Sequence, residues 1–140
     1  LGRRAEAAAA AHLEAKGFRI IARNWRPPQA APDDAEAIAQ PRAPWTSELD
    51  LVADDAGVCV FVEVRARTGS AFGHPLEAVS AQKRARVVRA ARHYLACETP
   101  HSGGGFRFDV VGVLYATAAP DDAPTCFHVV NAFDADGLIA

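Results

Sequence analysis

The spacing of hydrophobic and polar positions changes several times along the chain, and each change marks an element. From Arg3 to Lys16 an alanine-rich run of strong helix propensity predicts a helix, stopped by Gly17 at the C-cap place. Ala9, Ala10 and Leu13 give it a face to bury, and Glu6 lies near its N-terminal end, where the helix dipole favours a carboxylate. Phe18 to Trp25 is dense in β-branched and aromatic residues and predicts a strand. Pro27 to Thr46 breaks every pattern: five of the nine prolines and the acids Asp33, Asp34 and Glu36 predict a long, poorly ordered insertion loop. Glu48–Asp54 and Val58–Ala66 predict a hairpin turning around Asp55-Ala56-Gly57. Ser80 is the N-cap of a helix reaching about Ala96, with Val87, Val88, Ala91, Tyr94 and Leu95 as its apolar stripe. Pro100 and Gly103-Gly104-Gly105 predict a flexible loop, Phe106–Ala116 an apolar strand and Thr125–Asn131 a last short one.

The order is helix, three strands, helix, two strands. The second helix can cross over between the third and fourth strands, so a mixed central sheet flanked by helices is expected. This is an α/β sandwich in one domain spanning residues 1–140, with the proline-rich insertion at about 27–46. At 140 residues, half of them hydrophobic and 23% charged, the chain fits one globular domain with a real core.

Fifteen basic against seventeen acidic residues give a net charge of −2. Overall charge therefore does not draw the protein to nucleic acid or to an anionic membrane, which leaves local basic patches to be weighed. No apolar run approaches the ~18 residues of a membrane span, and the N-terminus has no signal-like segment, so no membrane partner is expected. Leu1 in a chain without methionine predicts that a few N-terminal residues are missing or trimmed. Cys59, Cys97 and Cys126 show no C-x-x-C spacing and predict a reduced, cytoplasmic protein. The only lysines are Lys16 and Lys83 among many arginines, a coding bias under which lysine drifts readily to arginine.

Candidate chemistry gathers on the hairpin. In Ser47-Glu48-Leu49-Asp50-Leu51-Val52, Glu48 and Asp50 share one face, and in Val60-Phe61-Val62-Glu63-Val64-Arg65, Glu63 and Arg65 share one. A two-residue turn at Ala56-Gly57 sets Asp50 opposite Glu63, whereas a four-residue loop sets Glu48 there. Either register brings the three carboxylates to one face beside Arg65. Like charges across a strand pair cost on the order of 0.2–1 kcal/mol, a cost that a divalent cation offsets. Mg²⁺ takes one or two carboxylates with water and phosphate, and can assist phosphoryl displacement. The alternative is a solvated polar face whose acids pair with Arg65, Arg67 or Arg107.

Asp50 followed by Glu63-Val64-Arg65 resembles the PD-(D/E)XK signature of restriction-endonuclease-like nucleases, with arginine in the place of the final lysine. The wider chain resembles the YraN-like family, small bacterial proteins assigned to that fold and similar to archaeal Holliday-junction resolvases. The resemblance runs through Glu6, Ala9 and Leu13, Gly17-Phe18 and Arg23-Asn24-Trp25-Arg26. It continues through Glu48 to Val52, Phe61 to Arg67, Phe72-Gly73, Gln82-Lys83, Arg107 to Val111 and Asn131-Ala132-Phe133. It implies a Mg²⁺- or Mn²⁺-dependent nuclease or nuclease-like DNA-processing protein acting on branched or single-stranded DNA. Asp50 and Glu63 would be the metal carboxylates, Glu6 would reach the site from the first helix, and Arg65 would stand for the lysine that orients water or steadies phosphate. Glu48 joins this catalytic set. Ser47 departs from the usual glycine, and the insertion after Arg26 is longer than the family's. Arginine cannot exchange a proton near neutrality, so Lys83 becomes the candidate ammonium. By analogy with enzymes that cut both strands, a homodimer is expected.

The alternatives are a nucleic-acid-binding protein of the same fold without cleavage, and an interaction protein that uses the insertion as its contact surface over a vestigial site. Lys83, Arg84, Arg86, Arg89 and Arg92, with His93 beside them, suggest a basic helix face that tracks a phosphate backbone. Trp25 and Trp45 read as packing residues ahead of base-stacking platforms. Arg107 and Asp109 are candidates either for pairing with the carboxylate cluster or for a separate salt bridge. Cys126-Phe127-His128 is too weak a pattern to make a site, and no zinc spacing, Walker A loop or G-x-G-x-x-G is present.

Overall fold

Helix propensity and an apolar stripe make Gly2–Ala15 the first helix, α1, which buries Ala5, Ala9, Ala10 and Leu13. Gly17, at φ 95°, ends it in a conformation that only glycine adopts without strain. The computed structural model describes residues 2–28, 48–69, 79–98, 104–117, 119 and 121–139. Its strands are β1 (Arg19–Trp25), β2 (Leu49–Asp55), β3 (Val58–Thr68), β4 (Phe106–Tyr115) and β5 (Thr125–Phe133). A second helix, α2 (Ala81–Cys97), stands between β3 and β4, and the Ser80 side chain accepts from the Lys83 N–H at its start.

The five strands form one sheet in sequence order. β1, β2 and β3 pair antiparallel, β3 and β4 pair parallel through the α2 crossover, and β4 and β5 pair antiparallel. The result is the expected single small α/β domain with a mixed sheet. Each element stands where the pattern put it, with ends displaced by two residues at most. Most of the expected 27–46 insertion, including Trp45, lies outside the described residues, as do Ser47 and Phe72-Gly73.

The core divides at the sheet. One layer joins Val52, Phe61, Phe108, Val110 and Phe133 to Val87, Val88, Ala91 and Tyr94 of α2. The other joins Leu51, Val60, Val62, Val111 and Val113 to Ala5, Ala9 and Leu13 of α1. Alternation along β3 and β4 therefore dictates which polar residues meet which helix. Glu63 follows Phe61 on the α2 side, whereas Asp109 alternates with Phe108 and falls on the α1 side.

Candidate functional site

Ala56, at φ 50°, and Gly57, at φ 94°, make the tight turn between β2 and β3, the left-handed pair that a two-residue hairpin requires. Leu51 pairs with Val62 and Asp55 with Val58. Of the two registers open in the sequence this selects the one that carries Asp50 to Glu63. The Asp50 Oδ2 accepts the Val64 backbone N–H at 2.9 Å, which fixes the carboxylate at the end of the ladder. Glu63 is only 2% exposed, and its Oε2 is buried without a hydrogen-bond partner. Burial, and next the negative charge of Asp50, push the Glu63 carboxyl up to about 8, against the opposing pull of Lys83 and Arg65.

Two cations reach the other oxygen. Arg65 Nη1 from β3 and Lys83 Nζ from α2 each lie 3.6 Å from Glu63 Oε1, a range in which Coulomb attraction acts without a well-made hydrogen bond. Arg65 leaves its own Nε buried and unpartnered. Glu6 comes in from α1: burial raises its carboxyl, the Asn24 side chain opposes this by hydrogen bonding, and the charges of Asp50 and Glu48 add to the rise. Glu48 stays at the rim, paired with Arg26 at 3.0 Å. Asp50, Arg65 and Lys83 are thus the groups that act on Glu63, while Glu6 and Glu48 act on each other and Glu6 feels Asp50. Among the described residues no three His, Cys, Asp or Glu side chains close a metal cage. Two carboxylates suffice for Mg²⁺, which keeps water and phosphate as its other ligands. The unpartnered Glu63 oxygen fits such a cation.

One expectation changes. The cations of α2 do not share one face, because successive side chains turn by about 100°. Lys83 points into the site. Arg84 is spent on backbone carbonyls, its Nε on Gly137 at 2.7 Å and its Nη1 on Val79 at 2.8 Å, and Arg92 Nη2 approaches Ala135 O at 3.4 Å. Arg84 is therefore tied into the fold by two backbone carbonyls. Trp25 packs edge-on against Tyr94, with centroids 5.2 Å apart, as a packing residue does.

Arg107 and Asp109 form their own cluster on the α1 side of the sheet. Asp109 accepts from Arg107, from the Asn131 N–H at 2.9 Å and from His128 Nε2 at 2.7 Å, and Arg107 also reaches Asp55 at 2.9 Å. Burial pushes the Asp109 carboxyl up, but the bonds from His128, Arg107 and Asn131 outweigh it and hold it below the usual range. Lys16 Nζ lies 3.0 Å from the far side of the His128 ring. Sequence reasoning gave no role to Asn24 or Asp55 and set His128 aside. For His128 the signal was an aromatic base alternating with Cys126 on a half-buried edge strand.

Residues 5–113 match the family described as "Uncharacterised protein family UPF0102". A UPF0102 protein of Symbiobacterium thermophilum is 41% identical over 96% of this chain and 97% of its own length. One from Ectopseudomonas mendocina is 38% identical over 96% and 95%, and one from Anaeromyxobacter dehalogenans 41% identical over 98% and 86%.

Proposed function

The chain belongs to the UPF0102 family, and we propose that this member is a divalent-metal-dependent nuclease acting on DNA phosphodiester bonds. The observation that carries the reading is Glu63: a buried acid with one unpartnered oxygen, set beside a second carboxylate, is what a cation site requires. Asp50 and Glu63 would hold Mg²⁺ or Mn²⁺, which when bound supplies charge for in-line displacement at phosphorus and a more acidic water.

The remaining residues do the protein's share. Arg65 presents a planar guanidinium fork suited to phosphate. Lys83 brings a compact ammonium from α2 to the same carboxylate. Glu6, raised by its partial burial, holds or releases a proton on the opposite flank. DNA as partner, a two-fold dimer on two-stranded substrates and a cytoplasmic place suited to three free cysteines belong to the same reading.

Purified protein with Mg²⁺ or Mn²⁺ is expected to nick branched, single-stranded or duplex DNA, and Asp50→Ala and chelator each to abolish the nicking. Cleavage indifferent to both would come from a contaminant and would end the proposal. Arg65 motivates a second reading, DNA binding without cleavage. Salt-sensitive binding to branched DNA with no product under any divalent metal would decide for it.

A further inference from the structure

α2 begins against the usual rule for helix ends. Its first turn holds two cations, Lys83 and Arg84, and no acid, although the helix dipole puts its positive end there and favours the opposite charge. The first turn is also where backbone N–H groups lack partners inside the helix and where helices fray. A local rule broken in this way needs support from elsewhere in the fold. The Ser80 side chain accepts the Lys83 N–H at 3.1 Å, which satisfies one donor but holds no side chain of the turn in place. Arg84 adds two bonds, Nη1 to Val79 O at 2.8 Å and Nε to Gly137 O at 2.7 Å, the second reaching 53 positions along the chain.

The Gly137 carbonyl is itself held. Asp134 Oδ1 accepts the backbone N–H groups of Asp136 and Leu138, each at 2.9 Å. The Asp134 N–H donates to Leu138 O at 2.9 Å, and the Gly137 N–H to Asp134 O at 2.8 Å. Just before this turn, Phe133 is buried in the core layer that contains α2, and it pairs with Ile139 just after it. The turn is therefore closed on itself and anchored at the end of β5. About two helical turns beyond Arg84, Arg92 Nη2 approaches Ala135 O of the same turn at 3.4 Å. Lys83 precedes Arg84 by one residue, and its Nζ lies 3.6 Å from Glu63 Oε1. Adjacent helical side chains point about 100° apart, so one grips the turn while the other faces the site.

We propose that the turn at residues 134–138 is a positioning element for the candidate site: through Arg84 it holds the first turn of α2 where the Lys83 ammonium meets Glu63. Asp134 and Arg84 are then positioning residues, acting through Lys83 and touching no ligand themselves. The placement of Lys83 stands on these contacts alone, and its consequence for cleavage rests on the nuclease reading.

Lys16 and Lys83 are the only lysines of the chain, so isotope-labelled lysine in the full chain gives two side-chain NMR signals. Lys16 lies 3.0 Å from His128, in the layer of α1, and serves as the internal control. In the otherwise wild-type protein, Glu63→Gln is expected to shift the Lys83 signal and leave that of Lys16 in place. Asp134→Ala opens the turn, and Arg84→Met keeps the apolar stem while removing both bonds. Each is expected to move the Lys83 signal to that of a solvated lysine and to abolish its response to Glu63→Gln. If Asp134→Ala unfolds the chain, both lysine signals move together, and Arg84→Met gives the answer because it leaves the bonds within the turn intact. A turn that served stability alone would leave Lys83 with its wild-type signal and response in the folded variants, and that result would overturn the proposal. In single-turnover cleavage with Mg²⁺ both variants should lose about a hundredfold in rate, the effect of a misplacement of about 1 Å. A wild type that cuts nothing yet shows the lysine responses would instead remove only the nuclease reading.

Discussion

Replacing Glu63 by glutamine is the most informative single change, because it separates the shape of the site from its titration. Glutamine fills the same volume, donates to Asp50 and accepts from Lys83, but has no proton to lose. The wild-type carboxyl is raised to about 8, first by burial and then by the charge of Asp50. The unfolded chain releases the same proton near its ordinary value of 4.5. Between those limits the folded state binds one more proton than the unfolded state, so stability falls as pH rises, by about 1.4 kcal/mol per unit at most.

Summed across the window, the loss is on the order of a few kcal/mol, a large share of a small domain's stability. Glu63→Gln should therefore match the wild type near pH 5 and exceed it by a few kcal/mol near pH 8. Divalent metal should act in the opposite sense. A cation that binds only the folded wild type restores about 2.7 kcal/mol at a concentration one hundred times its dissociation constant. The glutamine variant has lost that ligand and should gain much less. Urea denaturation followed by tryptophan fluorescence at pH 5, 6, 7 and 8, with Mg²⁺ or with chelator, reads all of this. Parallel pH curves for the two proteins would refute the reasoning, since the buried proton would then not exist. A magnesium response unchanged by Glu63→Gln would remove Glu63 from the metal ligands.

Asp109→Ala leaves Arg107 and the buried His128 without their shared acceptor and should cost about 3–5 kcal/mol by denaturant titration. The lowered carboxyl of Asp109 contributes its stabilisation above about pH 3.8, and that contribution should fade only as pH falls below this value, the reverse of the Glu63 effect. Arg65→Lys is expected to raise metal-dependent cleavage, by up to about a hundredfold, with DNA affinity nearly unchanged, because both side chains carry the charge but only the ammonium is compact. Should Arg65→Lys do little while Lys83→Ala abolishes cleavage in a single-turnover assay, the site's cationic role belongs to the ammonium from α2.

Local signals made the elements legible. Gly17, Ala56-Gly57 and Ser80 each have a backbone role that few residues fill, and they stand at the observed element ends. Asp50 and Glu63 were legible as partners because period-two alternation and a short turn leave only two registers. The assignment of Arg107 and Asp109 was not legible in that way. β3 and β4 pair parallel across a helical crossover, and no turn ties their registers together. Whether Asp109 faces α1 or α2 depends on Val62 pairing with Asp109, a long-range fact absent from either segment. The division of the α2 cations was hidden for a related reason. The carbonyls that capture Arg84 and Arg92 belong largely to Ala135 and Gly137, some fifty residues away along the chain.

The two buried acids of this sheet differ in a way that separates structure from function. Asp109 has every acceptor position used: one oxygen takes Arg107 and the Asn131 N–H, and the other takes His128 and the second Arg107 nitrogen. With its charge balanced locally, such a group costs little to keep and has nothing to offer a ligand. Glu63, almost as deeply buried, has two cations at 3.6 Å from one oxygen, and its other oxygen accepts no hydrogen bond. Folding alone gives no reason to leave it so, since an unmet buried acceptor costs about 1–3 kcal/mol. Glutamine or an apolar residue would fill the same place more cheaply. The proton that the raised carboxyl keeps, shared with Asp50, offsets part of that cost, and a cation bound between the two carboxylates would offset it in the proton's place.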